Sequence, residues 1–212
     1  MCINYKNLSK IKDLLEEYED CELLIVTKNQ DQNKVLDLLK ENHFLFGENR
    51  VQEAFMKFEK LKTKYPKLKL HLIGPLQTNK AKVALNLFDT IQSIDRKKLI
   101  DVISSLLKLD HQYETKNFFI QVNIGEEFQK FGVSPEETKS LYDYAVEKGL
   151  KVKGLMCIPP ANHKAEIYFQ KLFKIKESIN KNLKLSMGMS SDYKVAVKEG
   201  SNLIRVGSII FQ

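Results

Sequence analysis

The chain has 212 residues, 43% of them hydrophobic and 29% charged, with a formal net charge of +7. That composition supports one large globular core and excludes a disordered or fibrous chain, and no apolar run is long enough to span a bilayer. Three cysteines, Cys2, Cys21 and Cys157, form neither a CxxC pair nor an even framework, which fits free thiols in a reducing cytoplasm.

The positive charge is nearly all lysine, interleaved with Glu and Asp, and the arginines are Arg50, Arg96 and Arg205. With no basic block and no helix-turn-helix, RNA-binding or zinc-finger pattern, this describes a solvated surface, so no nucleic-acid partner is expected. His43, His71, His111 and His163 are scattered without metal-ligand spacing.

Taken in order, residues 1–20 are charged throughout and lack the apolar centre of a secretory signal. They read as an amphipathic helix with Ile11, Leu14, Leu15 and Tyr18 on one face. Apolar, β-rich segments then recur over 23–28, 43–48, 68–74, 90–94, 118–124, 152–158, 183–187 and 202–206. Several are near-continuous apolar runs, as parallel strands buried on both faces should be. Helical periodicity separates them. Val35, Leu38 and Leu39 mark a helix after the first strand, Leu99, Val102, Ile103 and Leu106 one after the fourth, and Ile167, Leu172, Ile175 and Ile179 one after the sixth. Ser134-Pro135-Glu136-Glu137 combines a capping box with Pro at the first helical position, and Gly149 closes that helix.

This alternation predicts a single-domain (β/α)8 TIM barrel over 1–212. An open doubly wound sheet is the alternative, but no GxGxxG follows any strand. The chain is short for a barrel and stops soon after its eighth strand, so the N-terminal helix is expected to cover that side.

Barrel active sites lie at the C-terminal ends of the strands. The polar residues expected there are Lys28, then Glu48, Asn49 and Arg50, then Gln77, Asp95 and Asn123, and finally Arg205 and Ser208. Strands seven and eight each end in a turn of Gly and Ser: Gly188 with Ser190 and Ser191, then Gly207 with Ser208. These are either ordinary strand–helix turns, for which Gly and Ser are default residues, or the N–H and hydroxyl groups of a phosphate cradle. A strand-one lysine facing such a cradle can form a Schiff base with a phosphorylated aldehyde, of which pyridoxal phosphate is the common one. A solvated lysine is the plain alternative. Asp192 is expected as a helix N-cap, and Met156, Met187 and Met189 as core.

The segments LLIVTK, FGEN, HLIGPLQTNK, QSID, QVNIGEEFQKFGV, GLMCIPP and LSMGMSSDYKVAVKEGSNLIRVGS resemble, in order and over essentially the whole chain, the YggS/PROSC family of pyridoxal-phosphate homeostasis proteins. The resemblance implies a barrel of the alanine-racemase type (PLP fold type III) with pyridoxal 5'-phosphate as cofactor. It implies that Lys28, at the open barrel mouth, carries the cofactor as a Schiff base and that Arg205 lies near the pyridine nitrogen. It further implies that Ser190, Gly207 and Ser208 hold the phosphate and that Asn49 lies beside the ring. The family usually reads VSKTKP where this chain has Val26-Thr27-Lys28-Asn29-Gln30-Asp31, so Gln30 stands in place of a second lysine.

Racemases of this barrel type use a second base, usually a tyrosine from a further domain. None is apparent here, and no tyrosine falls at a strand end. The expectation is a cytoplasmic, monomeric carrier that stores pyridoxal phosphate or delivers it to PLP-dependent apo-enzymes, with no membrane association and no substantial turnover. A weak PLP-dependent amino-acid racemase is the alternative.

Overall fold

A computed structural model describes residues 2–109, 112–161 and 164–211. His111 and His163, two of the scattered histidines, lie outside the described residues.

The eight strands are β1 Glu22–Val26, β2 Leu45–Glu48, β3 Lys69–Leu72, β4 Thr90–Ile94, β5 Asn117–Val122, β6 Val152–Cys157, β7 Lys184–Ser186 and β8 Leu203–Val206. Each pairs parallel to its sequence neighbours, and β8 returns to β1 through the register Leu24↔Arg205, closing the barrel. The TIM-barrel expectation therefore holds. β4 has the bounds expected, and the other strands are shorter than the apolar runs suggested, because ladder pairing stops where each chain bends into its turn.

Seven helices link the strands: α2 Gln32–Lys40, α3 Val51–Lys64, α4 Ala81–Leu87, α5 Lys97–Leu109, α6 Thr138–Glu147, α7 Ala165–Ile179 and α8 Tyr193–Lys198. An N-terminal helix, α1 Tyr5–Glu16, buries Leu8 and Ile11 and packs on β1. Asn4 N–H donates to the Ile210 carbonyl at 2.7 Å and Asn7 Nδ2 to the Ile209 carbonyl at 2.8 Å. Thus α1 covers the side next to β8, as expected. Before α6, Ser134 Oγ accepts from Glu137 N–H at 3.3 Å, but the Glu137 carboxylate accepts from the Ser134 hydroxyl at 3.2 Å and not from its N–H, so only half of the expected capping box forms and regular helix begins at Thr138. In α7, Phe169 and Leu172 are buried, but Ile167, expected on the apolar face, is exposed.

The barrel wall has two apolar layers. Leu23 and Ile25 of β1, with Ile204 and Val206 of β8, join the main core between sheet and helices. Leu24, Val26 and Leu203 form a separate small cluster with Leu45 and Ile73. Side chains alternate along a strand, so Leu24 and Val26 set the face shared by position 28, and Leu203 the face shared by Arg205 and Gly207. The strand period thereby aims the expected site residues into the barrel mouth.

Candidate functional site

A cavity of about 830 Å³ opens at the C-terminal end of the barrel, within the usual size of small-molecule sites. Lys28, Asn49, Ser190, Arg205, Gly207 and Ser208 all line it, together with Gln30, Gln121, Lys130 and Phe131. The structure thus brings together, at the ends of β1, β2, β7 and β8, the six residues that the family resemblance singled out, whereas Glu48, Arg50, Gln77, Asp95 and Asn123 do not line the cavity.

Lys28 follows β1 in a turn closed by Gln30 N–H donating to the Thr27 carbonyl at 3.1 Å, with Asn29 at φ 59°. Its side chain is exposed at the mouth, because the strand ends two residues before it. Among the described residues its amine has neither an ion pair nor a hydrogen bond, which leaves it free to react. Gln30 accepts from Lys34 Nζ, so that side chain is already engaged.

Below Lys28 lies a buried cluster. Thr27 Oγ1 donates to Glu48 Oε1 at 2.7 Å, and Lys57 Nζ donates both to that oxygen and to the Thr27 carbonyl, each at 2.7 Å. Glu48, expected at a strand end, therefore faces α3 and ties β1 to β2. Asn49 lies on the cavity side. Gly74 after β3 is required there, because a Cβ on it would sit 2.1 Å from the Asn49 carbonyl oxygen.

The two Gly/Ser turns form one wall. Asp192 is the positional N-cap of α8, but its carboxylate accepts from Met189 N–H at 2.6 Å instead of from the helix. That bond folds the Ser190–Ser191 turn back towards the cavity. Among the described residues, the N–H and hydroxyl groups of Ser190, Ser191 and Ser208 have no protein acceptor. Such free donors on two adjacent turns are what an anion requires. Met156 and Met187 are buried as expected, whereas Met189 lines the cavity.

Arg205 is 3% exposed. It donates from Nη1 to Ser186 Oγ at 2.8 Å and from Nη2 to the Cys157 carbonyl at 2.7 Å, and among the described residues no carboxylate pairs with it. Burial lowers its pKa from the ordinary arginine value, partly offset by Cys157 and Asp192. It is a cation held at the cavity floor with donors to spare.

Other strand-end residues serve structure. Asn123 Nδ2 donates to the Glu127 carbonyl at 2.9 Å and its Oδ1 accepts from Glu127 N–H at 3.2 Å, locking the loop after β5. Asp95 pairs with Arg96, and Arg50 with Glu53 on the surface. Two residues escaped sequence reasoning. Gln121 of β5 lines the cavity and donates to the Phe131 carbonyl at 3.1 Å. Ser186 of β7 holds Arg205. Inward parity marks both, but nothing in the sequence alone separates an inward polar residue from a buried hydrogen-bonded one.

No family model matches the chain. It is 40% identical over 176 residues to the pyridoxal phosphate homeostasis protein of Aquifex aeolicus, covering 79% of this chain and 75% of that protein. It is 33% identical over 207 residues to the human protein of the same name, covering 89% and 75%. Among solved structures it resembles PipY of Synechococcus elongatus with PLP bound: TM-score 0.84, 28% identity, 98% of this chain and 99% of that one. The Clostridium difficile alanine racemase shares the fold alone, with TM-score 0.74, 15% identity, and 98% and 56% coverage.

Proposed function

Because the chain belongs to the family of pyridoxal phosphate homeostasis proteins, we propose that its cavity holds pyridoxal 5'-phosphate and that the protein stores and delivers this cofactor. One observation carries the reading. An amine free of any ion pair, a carboxylate-free buried arginine and two turns of unpaired N–H and hydroxyl donors share one cavity wall. The residues fit the group. Ser190, Gly207 and Ser208 take the phosphate, Asn49 lies beside the ring, and Arg205 faces the ring nitrogen. Bound there, pyridoxal phosphate supplies an aldehyde and an electron-poor ring. Lys28, whose amine lines the same cavity, would be the residue to hold the group through its aldehyde.

The reading extends to reversible carriage without substantial turnover. Among the described residues the cavity wall contains no tyrosine, histidine or carboxylate, so no second base of those types stands opposite Lys28. Lys130 lines the cavity, but its Nζ pairs with Glu127 and donates to the Pro159 carbonyl at 3.2 Å. Lys28 stands exposed at the cavity mouth, within reach of an incoming amine, which suits transfer to PLP-dependent apo-enzymes. Among the described residues no helix is long and apolar enough to cross a membrane, and the free cysteines suit a cytoplasmic setting.

The test is spectroscopic and chemical. Purified protein given pyridoxal phosphate should turn yellow, and borohydride followed by peptide mapping should place the adduct on Lys28. An adduct on another lysine, with Lys28 unmodified, would refute the assignment. Racemisation of single-enantiomer alanine at about 1 s⁻¹ or faster, abolished by Lys28→Ala, would replace the carrier with the racemase.

A further inference from the structure

The interior of a barrel of this type is ordinarily filled by layers of branched apolar side chains. Here a line of polar side chains crosses it. Arg205 of β8 donates to Ser186 Oγ of β7 at 2.8 Å. Ser186 donates to Gln92 Oε1 of β4 at 2.6 Å. Gln92 Nε2 meets His71 Nδ1 of β3 at 2.8 Å. Ser186 and Gln92 are fully buried.

Each link fixes the next. Arg205 can only donate, so Ser186 offers it a lone pair and gives its single proton to Gln92. The Gln92 oxygen is then committed to Ser186, so its amide N–H must donate to His71. His71 Nδ1 must accept, which requires the neutral ring with its proton on Nε2. The burial that pushes this imidazole down to about 4 agrees with that state. The donors therefore run one way from the guanidinium, and no member is a carboxylate. Four aligned polar side chains in a core cost more than apolar ones of equal volume, and a fully satisfied network fixes the geometry of its members.

We propose that His71, Gln92 and Ser186 are positioning residues for Arg205, holding its guanidinium towards the cofactor's ring nitrogen without introducing a negative charge; this rests on the pyridoxal phosphate reading. An aspartate in place of Ser186, the link that touches Arg205, would pair with the guanidinium and turn it away from the ring. The neutral chain leaves the remaining N–H donors of the cation for the ligand.

The experiment measures dissociation constants by absorbance titration for pyridoxal 5'-phosphate and for its analogue with CH in place of the ring nitrogen. The proteins are the wild type, Ser186→Ala, His71→Leu and His71→Asn, whose side-chain oxygen keeps an acceptor for Gln92. Ser186→Ala and His71→Leu should weaken pyridoxal phosphate by about five- to tenfold, in the range of one ordinary hydrogen bond, and shift the absorbance maximum of the bound chromophore. The analogue, with no nitrogen to receive the guanidinium, should change by less than about twofold. His71→Asn should restore the wild-type ratio of the two constants. Equal losses for both ligands, or no loss in either variant, would overturn the positioning role while leaving the cofactor reading intact. A wild-type protein that takes up neither aldehyde overturns the cofactor reading and this proposal together. Ser186→Ala removes only a hydroxyl, so it decides the question should His71→Leu fail to fold.

Discussion

Replacing Lys57 with methionine tests how the site's first strand is held. Glu48 is 0% exposed, and its Oε1 accepts from Thr27 and Lys57, each at 2.7 Å, while Oε2 has no partner among the described residues. The Lys57 side chain is itself only 10% exposed. Lys57→Met leaves a buried carboxylate facing one hydroxyl, and breaking a buried pair in this way costs about 3–5 kcal/mol. In a chain of this size each kcal/mol lowers Tm by about 2–4 °C, so the expected drop is about 6–20 °C. Adding Glu48→Gln removes the stranded charge and keeps an oxygen for Thr27, so the double variant should regain most of the loss. Thermal melts and urea titrations at neutral pH, with unchanged denaturant slope, give the numbers. A Lys57→Met variant within about 1 kcal/mol of wild type, or a double variant no more stable than the single one, would refute the reasoning. Thr27 directly precedes Lys28, so the single variant should also slow uptake of pyridoxal phosphate.

The phosphate assignment predicts that Ser208→Ala weakens pyridoxal phosphate binding by about ten- to a hundredfold, one charge-assisted hydrogen bond. Unchanged affinity in the Ser190→Ala, Ser208→Ala double variant would place the phosphate elsewhere. Gly74→Ala puts a Cβ 2.1 Å from the Asn49 carbonyl oxygen, so it should cost about 1–3 kcal/mol and lower cofactor affinity with it; a wild-type melt would show that the turn yields freely. Burial pushes the His43 and His71 imidazoles down to about 4 from 6.5. Between those values the unfolded chain holds protons that the native chain does not. Stability is therefore full above about pH 6.5 and is lost as pH falls towards 4, by on the order of 3 kcal/mol per ring. Melts between neutral pH and about pH 4.5 should fall accordingly, and His71→Asn should flatten the slope; a flat wild-type profile would rule out neutral burial of these rings.

The order of elements and the face of each strand were written in the sequence. Strand and helix periods differ, so Val35, Leu38 and Leu39 declare a helix and the apolar runs declare buried strands without reference to neighbours. Parity along β1 and β8 likewise fixed that position 28 and Arg205 point where Leu24 and Leu203 point. What only the tertiary structure decided is what each polar side chain meets. Glu48 and Asn49 are adjacent in the chain, yet one ends against Lys57 of α3 and the other on the cavity wall. How far Lys28 stands out of the barrel depends on where the ladder stops and how the turn at Asn29 bends. The line from Arg205 to His71 joins residues up to 94 positions apart within a single hydrogen bond. A local pattern can specify which face a residue occupies, but only closure of the barrel sets which strands look at each other across its interior.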